Sequence, residues 1–352
     1  MSSSGETPAV PEVAVIIVTY RSARVTIACL GSLQSERANP TLHIRAVVVD
    51  NASGDLAEIA RAVEERQWSS WVTLVQAPKN GGFAYGNNLG IENACSAGVP
   101  SYIFLLNPDT EVRPGAVAAL VRFLESHREA GIAGPSFETG EGEDWNIAFR
   151  FPTLLGEVEQ GLSLGIATRL LSRWAVVRHM DERCERVDWV SGSSMMIRPE
   201  LLAAIGGMDE NYFLFFEETD LCRRARRAGF STWYVPESRV MHIGGASTSV
   251  SSRIPRRLPP YWFESRRRYF VLSYGIARAV LIDLATCGAH LLGAAKRLIQ
   301  RSHDDTPKFV RDLMKHSVFW RRNRDIPPFA SRLTGRVVTR RSGSAAVVQP
   351  RT

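Results

Sequence analysis

The sequence lacks paired cysteines. Its five cysteines (Cys29, Cys95, Cys184, Cys222 and Cys287) lie at least 38 positions apart, and no C-x-x-C pair occurs. This spacing argues against a zinc module and predicts reduced thiols in a cytoplasmic protein. The 352 residues are 45% hydrophobic and 22% charged, a balance that excludes a wholly disordered or fibrous chain.

Targeting segments and long uninterrupted apolar runs are also missing from the sequence. Residues 1–12 have neither a basic start nor an apolar stretch, so they are predicted to be a disordered lead-in rather than a signal peptide. The most apolar segment, 277–299, is interrupted by Arg278, Asp283 and His290. Because a spanning helix needs about 20 apolar residues, we do not expect this segment to cross a membrane.

Charge is distributed unevenly along the chain. Residues 1–252 contain 22 Lys and Arg against 30 Asp and Glu, whereas residues 253–352 contain 21 against 6. The chain therefore has an acidic body and a last third with a net charge of +15. Such asymmetry favours a polyanionic partner. No nucleic-acid-reading motif accompanies the arginines, so the prediction is an anionic membrane surface and no nucleic acid.

Strand-like and helix-like patterns alternate along the first 250 residues. The predicted strands are 13–20, 43–51, 72–77, 101–109, 189–197 and 231–243. The predicted helices are 22–35, 55–66, 84–97, 114–128 and 216–228. This alternation is typical of an α/β domain with a mostly parallel sheet covered by helices. Residues 137–187 are less regular and are predicted to be a flexible insertion.

Polar residues follow three of the predicted strands. They are Thr19 and Tyr20, Asp50 and Asn51, and Asn107 and Asp109. In parallel α/β sheets, ligands bind beyond the carboxyl ends of the strands, so this pattern predicts a nucleotide-binding crevice. Asp and Asn are also common turn residues, but three successive strand ends with this pattern favour the functional interpretation.

The segment KNGGFAYGNNLG (79–90) is glycine-rich and predicts a loop that a ligand can approach closely. A dinucleotide fingerprint needs G-x-G-x-x-G with an acidic residue about 20 positions later. Here the glycine spacing differs and the acidic strand end, Asp50, precedes the loop. A dehydrogenase is therefore disfavoured.

Three carboxylates, Glu217, Glu218 and Asp220, follow the aromatic stretch FLFF. Carboxylates beside aromatic surface tend to have raised pKa values and can act as general bases. The alternative is an acidic helix N-terminus that the helix dipole favours. His242 ends an apolar strand, where a histidine is more often structural unless a metal site lies nearby.

Taken together, seven motifs resemble the inverting family-2 glycosyltransferases, which have the GT-A fold. They are VIIVTY, VVVDN, NGGFAYGNN, LLNPDT, DWVSGSSMMIRPELL, GGMDENYFLFFEETDLCRRARRAGF and VPESRVMHIGG. Within that family the chain is most similar to bacterial rhamnosyltransferases that act on polyprenyl-diphosphate-linked sugars. The resemblance covers about residues 13–250.

The resemblance implies a role for each matching residue. Thr19, Asp50 and Asn51 would contact the donor nucleoside, and the 80–87 loop would shape the donor pocket through Asn80, Gly82, Phe83 and Asn87. Tyr20 and Asn107, at the strand ends, are also predicted to bind substrate. Asp109 would bind Mg²⁺ or Mn²⁺, with His242 as a second ligand or a diphosphate contact. Trp189 and Gly192 would border the acceptor. Glu218 would be the catalytic base.

At two positions the sequence departs from the usual motif of this family. Asn107 stands where the broader D-x-D pattern has an acidic residue, so metal affinity would rest on fewer charges. Glu218 stands where Asp is usual, which leaves Glu217 and Asp220 as alternative bases.

The predicted organisation is a lead-in (1–12), a GT-A domain (13–250), a basic amphipathic helical region (251–330) and a basic disordered tail (331–352). The predicted activity is sugar transfer from a nucleotide-diphosphate donor, with dTDP-rhamnose favoured and UDP-linked donors open, to a lipid-linked glycan acceptor. Other classes remain as alternatives: a non-catalytic protein that binds glycan or lipid, and a nucleic-acid-binding protein.

The basic region contains an amphipathic pattern over 280–299. Its apolar stripe comprises Leu281, Leu284, Gly288, Leu291, Ala295 and Leu298, and Asp283, Thr286, His290 and Arg297 lie opposite. The helix either packs on the body or contacts a membrane. Flanking arginines and the aromatic residues Tyr261, Trp262, Phe263, Tyr269 and Phe270 favour a headgroup interface. We therefore expect a cytoplasmic protein bound peripherally to the inner face of the cytoplasmic membrane.

Overall fold

The computed structural model describes residues 10–139, 144–145, 147–162, 165–242, 257–300, 306 and 308–333. Most of the predicted lead-in and tail, and Arg256, lie outside the described residues. Within the described part, the strands are β1 (Glu12–Thr19), β2 (His43–Asp50), β3 (Val72–Gln76), β4 (Tyr102–Leu106), β5 (Thr110–Val112), β6 (Ala130–Glu138), β7 (Asp144–Trp145), β8 (Ala148–Phe149), β9 (Glu185–Val187), β10 (Trp189–Val190), β11 (Ser194–Ile197) and β12 (Ser231–His242).

Helices cover the sheet and form the C-terminal region. They are α1 (Ala23–Arg37), α2 (Leu56–Glu65), α3 (Gly82–Ser96), α4 (Ala116–Ser126), α5 (Leu154–Leu162), α6 (Gly165–Leu171), α7 (Pro199–Ile205), α8 (Glu217–Arg227), α9 (Pro260–Tyr274), α10 (Ile276–Gln300) and α11 (Phe309–His316).

One mixed sheet forms the centre of the molecule, in the order β3-β2-β1-β4-β11-β6-β12-β5. The first four strands are parallel, while β11 runs antiparallel to both β4 and β6, and β12 is again parallel to β6. The prediction of a mostly parallel α/β sheet flanked by helices is thus confirmed. Continuous apolar runs in β1 and β4 are fully buried, as expected for strands covered on both faces.

Several elements differ from the sequence-based expectation, among them β5 (Thr110–Val112) and α7 (Pro199–Ile205), neither of which was predicted. The strand β6 was not predicted, because Pro135 and two glycines interrupt its pattern; it pairs with β12 across register irregularities that accommodate this sequence. The segment 137–187 is not an irregular insertion throughout. Its helix α5 packs along α10 and so connects this segment to the C-terminal region.

The C-terminal helices pack on the body through polar contacts. Arg266 of α9 is buried and donates to Glu157 of α5 and Asp283 of α10, at 2.6 and 2.5 Å. Arg268 is buried and forms an ion pair with Asp209. Further along the chain, Leu333 is buried in the core of the body, so residues 331–333 belong to the body rather than to a tail.

The amphipathic helix α10 exposes its apolar stripe and buries its polar face. Leu281, Leu284 and Leu291 are 55%, 47% and 59% exposed, whereas Asp283 and Thr286 are buried against α9. By length and composition, Ile276–Lys296 is apolar enough to cross a membrane, a test that core helices of soluble proteins also pass. Composition alone therefore does not exclude a span, contrary to the expectation from the sequence.

The expectation of a headgroup interface at the start of the C-terminal region is wrong. Phe263, Tyr269 and Phe270 are buried, and the neighbouring Arg266 and Arg268 are engaged in the ion pairs described above. The exposed aromatic residues lie elsewhere: Phe319 and Trp320 are about half exposed and precede the exposed Arg321 and Arg322. In α9, these arginine and aromatic side chains are therefore packed inside the protein. The exposed arginine and aromatic residues follow α11.

Candidate active site

A cavity of about 350 Å³ opens beyond the carboxyl ends of β1, β2 and β4. Its polar side is formed by residues that follow these strands and by the start of α3: Tyr20, Asn51, Asn80, Gly82, Phe83 and Asn107. Its apolar wall includes Phe213, Leu214 and Tyr261. The strand ends therefore meet at one crevice, and six of the predicted donor-site residues line it.

The side chain of Asn51 joins the end of β2 to the start of α3. Its Nδ2 donates to Oδ1 of Asn80 at 3.0 Å and to the carbonyl oxygen of Gly82 at 3.1 Å. Gly82 adopts a φ of +88°, and a Cβ at this position would lie 2.0 Å from the carbonyl oxygen of Phe213. Only glycine allows this approach, which brings Phe213 to the mouth of the cavity.

Most of the glycine-rich segment is helix rather than loop, because α3 begins at Gly82. A Cβ at Gly86 would lie 2.6 Å from Val18, and a Cβ at Gly90 would lie 2.5 Å from Ile16. These glycines therefore permit close packing of α3 on β1 and do not expose backbone to a ligand. Asn87 lies within α3, is buried, and donates to the carbonyl oxygen of Phe83 at 2.9 Å.

Two predicted nucleoside contacts are buried in local hydrogen bonds. Asp50 accepts hydrogen bonds from the backbone and hydroxyl of Ser53 and from the backbone of Gly54. The hydroxyl of Thr19 donates to Oδ2 of Asp55 at 2.8 Å. Both side chains thus stabilise the turns that follow β2 and β1, at the base of the crevice.

Asp109 and His242 meet at the edge of the crevice. Asp109 follows β4, His242 ends β12, and Oδ1 of Asp109 lies 3.5 Å from Nε2 of His242. Both side chains are largely buried, and the imidazole stacks on Phe137. The antiparallel pairing of β12 with β5, which sets His242 opposite Thr110, brings the two together across 133 positions of sequence.

These two residues fit a divalent cation that shares its remaining ligands with a substrate. The carboxylate is a hard oxygen donor and the imidazole a nitrogen donor, a pair compatible with Mn²⁺. Across the residues that the structure describes, no group of three or more His, Cys, Asp or Glu side chains is positioned to hold a metal.

The backbone is strained immediately before the carboxylates of α8. Phe215 and Phe216 have φ values of 70° and 67°, in the left-handed region that bulky residues rarely adopt. Strain of this kind is concentrated at functional sites. It turns the chain from the cavity wall into α8, so that Glu217 and Glu218 occupy the first turn of the helix.

The three candidate bases occupy different environments. Glu218 is half-buried beside Gly192, whose backbone amide donates to its carboxylate, and its Oε2 has no hydrogen-bond partner among the described residues. Burial raises the pKa of Glu218 above its ordinary value. Asp220 forms a 2.7 Å ion pair with Arg224, which also binds two backbone carbonyl groups. Asp220 is thus engaged in an ion pair, whereas Oε2 of Glu218 is buried without a hydrogen-bond partner among the described residues.

Glu217 is the most deeply buried of the three. Burial, together with the charge of Glu218, raises its pKa well above the ordinary value. The direction matches the expectation that carboxylates beside aromatic surface are hard to ionise. Oε2 of Glu217 also has no hydrogen-bond partner among the described residues, but Glu217 is only 2% exposed, so the half-buried Glu218 remains the candidate base.

The two predicted acceptor residues are separated. A Cβ at Gly192 would lie 3.1 Å from Phe83 and 3.4 Å from Glu218, so Gly192 lies between the cavity wall and the carboxylate. Trp189 instead stacks on Phe149, donates to the carbonyl oxygen of Arg150, and lines a different cavity.

Sequence reasoning missed the apolar wall of the cavity. Phe213 and Leu214 begin the FLFF stretch that precedes the carboxylates, so their position was a usable signal. Tyr261 belongs to α9, and nothing in its local sequence distinguishes it from the aromatic residues that surround it. Its ring contacts Phe213 and Phe215, and burial raises its pKa.

Comparison with known proteins gives consistent relatives. N-acetylglucosaminyl-diphospho-decaprenol L-rhamnosyltransferase of Mycobacterium tuberculosis is 28% identical over 245 residues, covering 66% of this chain and 76% of that protein. The dTDP-rhamnosyl transferase RfbF of Shigella flexneri is 24% identical over 261 residues, covering 73% and 78%. Rhamnosyltransferase WbbL of Escherichia coli is 28% identical over 166 residues, covering 46% and 60%.

Solved structures show the same fold at low identity. GalNAc-T7 with UDP, GalNAc and Mn²⁺ matches with a TM-score of 0.52 and 14% identity, over 89% of this chain and 56% of that chain. S. aureus TarS 1-349 in complex with UDP-GlcNAc matches with a TM-score of 0.50 and 13% identity, over 86% and 80%. At this identity the likeness concerns the fold alone.

A family model supplies the remaining comparison. The model described as glycosyltransferase like family 2 matches residues 11–258, which contain the whole crevice except Tyr261. The match covers more than half of the chain and agrees with the fold and with the relatives above. The chain therefore belongs to glycosyltransferase family 2 and is a GT-A glycosyltransferase.

Proposed function

We propose that this protein transfers a sugar, with inversion, from a nucleotide-diphosphate donor to a hydroxyl group of a lipid-linked glycan. The observation that carries the proposal is the position of Glu218, which lies beside Gly192 next to the cavity wall and whose Oε2 has no hydrogen-bond partner among the described residues. A general base must lie within reach of the hydroxyl that it deprotonates, and Gly192 lies between Glu218 and Phe83, which lines the crevice at the three strand ends.

Different residues of the chain bind the donor and accept the proton. The crevice between Tyr20, Asn51 and the aromatic wall binds the donor, and Glu218 accepts the proton of the acceptor hydroxyl as that oxygen attacks the anomeric carbon. Its raised pKa makes the carboxylate a stronger base than an exposed glutamate. A divalent cation, Mg²⁺ or Mn²⁺, held by Asp109 and His242 would neutralise charge on the departing diphosphate.

We favour dTDP-rhamnose as the donor and a polyprenyl-diphosphate-linked sugar as the acceptor. Three relatives are named as rhamnosyltransferases, one of them as a dTDP-rhamnosyl transferase and one for a diphospho-decaprenol acceptor. UDP-linked donors are the alternative.

The proposal includes peripheral binding to the cytoplasmic face of a membrane. Leu281, Leu284 and Leu291 form an exposed apolar stripe on α10, and the last hundred residues carry a large positive charge. An apolar stripe with basic surroundings favours an anionic interface. Phe319 and Trp320, which follow α11, are also exposed.

A panel of nucleotide sugars, assayed with a lipid-diphosphate acceptor and Mn²⁺, tests the proposed activity. We expect turnover with one donor class and a decrease of about 10²- to 10⁴-fold in kcat for Glu218→Gln, with donor affinity retained. Asp220→Asn is the matched control, and a loss of activity there with an active Glu218→Gln would show that the base is misassigned.

Asp109→Asn tests the proposed metal contact in the same assay. We expect the metal-dependent rate to fall by about 100-fold or more, because charge on the leaving group is then less well stabilised. Turnover at the wild-type rate in a chelator would contradict the assignment. Binding of a donor without turnover under any condition would instead favour a non-catalytic glycan- or lipid-binding protein.

A further inference from the structure

A second cavity, of about 520 Å³, lies at the far end of α8 from Glu218. Helix α8 and the segment 188–192 run side by side: Glu218 contacts Gly192, Cys222 contacts Val190, and Arg226 binds Asp188. At 1.5 Å per residue, Arg226 lies about 12 Å along the helix from Glu218. The second cavity is therefore separate from the catalytic crevice.

The lining of this second cavity is strongly basic. Among the described residues around it are one carboxylate, Asp188, and five arginines: Arg150, Arg173, Arg223, Arg226 and Arg227. Asp188 is already engaged by Arg226 and by the backbone amide of Phe151. The lining therefore has an excess of positive charge that only an anion can neutralise.

Several of these arginines are held in place by aromatic rings. Arg173 stacks on Trp174 at 3.7 Å, and Arg223 lies over Tyr274 at 4.7 Å. The Nε of Arg223 is buried and has no hydrogen-bond partner in the described part of the chain. The Nη groups of Arg223 donate to Tyr274 and Ser273, so Arg223 contributes mainly its charge. The stacked guanidinium group of Arg173 is suited to bidentate binding of phosphate oxygens.

Exposed apolar residues surround this basic cavity. Leu272 and Ile276 flank Tyr274 and are about 40% exposed, and Leu170, next to the segment of Arg173, is 73% exposed. Ile276 is also the first residue of α10, which presents the exposed stripe described above. Tyr274 of the cavity lining is therefore two residues from the start of the helix that the proposed function places against the membrane.

We propose that the basic cavity binds the headgroup phosphate of an anionic phospholipid. The inference rests on the proposed peripheral membrane binding and adds a specific site to it. A phosphate held between Arg173, Arg223 and Arg227 would neutralise the cavity while its acyl chains enter the bilayer beside Leu272 and Ile276. This explains why the arginines and the exposed apolar residues lie together.

Vesicle co-sedimentation of the full chain tests the site. The vesicles are phosphatidylcholine with and without phosphatidylglycerol, and the variant is Arg173→Gln with Arg227→Gln. Arg61→Gln with Arg122→Gln removes the same charge from exposed positions on α2 and α4 and serves as the control. At about 1 kcal/mol per arginine, the cavity variant is expected to lose roughly 30-fold in partitioning to anionic vesicles. The control should change by less than about 2-fold.

Equal losses in the two variants, or no loss in either, would overturn the site. If the wild-type protein binds no vesicles at all, the membrane part of the proposed function fails as well. Sugar transfer to a short-chain, water-soluble acceptor should be unchanged in the cavity variant, so an inactive wild-type enzyme counts against the proposed activity alone. Calorimetry with inorganic phosphate distinguishes the source: tight binding that is lost in the cavity variant, without preference for anionic vesicles, would assign the cavity to free phosphate.

Discussion

The transferase body and the C-terminal helices are stabilised by different interactions. The body has one continuous apolar core, in which β1, β4 and the facing helices bury Val, Ile and Leu side chains completely. The C-terminal helices have two small apolar clusters and attach to the body through buried ion pairs around Arg266 and Arg268. The core makes folding favourable, whereas the ion pairs decide how the appended helices are oriented.

This difference accounts for the orientation of α10. A helix with an apolar stripe ordinarily turns that stripe toward the core. Here Asp283 and Thr286 must face Arg266, because a buried guanidinium without partners is very costly. The apolar stripe is consequently left on the surface, where a membrane can cover it.

Arg266→Met breaks the polar attachment and should have the largest effect on stability. It leaves Glu157 and Asp283 buried without their cation, so we expect a loss of about 3–5 kcal/mol in the free energy of unfolding. Chemical denaturation monitored by circular dichroism measures this change. Adding Glu157→Gln and Asp283→Asn removes the stranded charges and should restore most of the loss; if the triple variant is no more stable than Arg266→Met, the ion pairs do not dominate the attachment.

Leu105→Ala probes the apolar core of the body at the middle of β4. The side chain is fully buried, so truncation should cost about 2–5 kcal/mol through lost burial and the cavity it leaves. Unlike Arg266→Met, this loss has no polar partner whose removal could restore it. The exposed Leu170→Ala is the control in the same denaturation experiment, and an equal cost there would contradict the contrast.

Glu217→Gln tests a buried charge in the body itself. Because the pKa of Glu217 is raised in the folded state, its contribution to stability is complete below the ordinary glutamate pKa and is lost as pH rises through the raised value. The variant should therefore be more stable than wild type by about 1 kcal/mol at neutral pH and equal or less stable in acid. Denaturation across pH measures this, with exposed Glu65→Gln as the control; a pH-independent difference would contradict the raised pKa.

Leu281→Ser with Leu284→Ser addresses the surface of the C-terminal helices and should have the smallest effect on stability. Both side chains are exposed, so the free energy of unfolding should change by less than about 0.5 kcal/mol. Binding to all vesicles, neutral or anionic, should nevertheless fall, because the apolar stripe supplies the burial. A large loss of stability would mean that the stripe is covered within the folded protein.

Much of the body was predictable because its signals are local. Continuous apolar runs identified β1, β2 and β4, and polar residues at their ends predicted the crevice, where Tyr20, Asn51 and Asn107 do meet. The strand β6 was hidden, since Pro135 and glycine carry no strand propensity and its pairing comes from distant β12. The glycines of α3 suggested a ligand loop, yet their small size serves contact with β1.

What the sequence by itself determined is therefore the fold class, the family and the residue types around the crevice, since periodicity and motif order depend only on neighbours along the chain. Tertiary structure alone decided that Glu218 lies beside Gly192 and that its Oε2 is left without a hydrogen-bond partner among the described residues. It also decided that Tyr261 enters the crevice and that α10 turns its apolar stripe outward. In each case the deciding partner lies elsewhere in sequence or depends on three-dimensional burial, and local pattern contains no information about either.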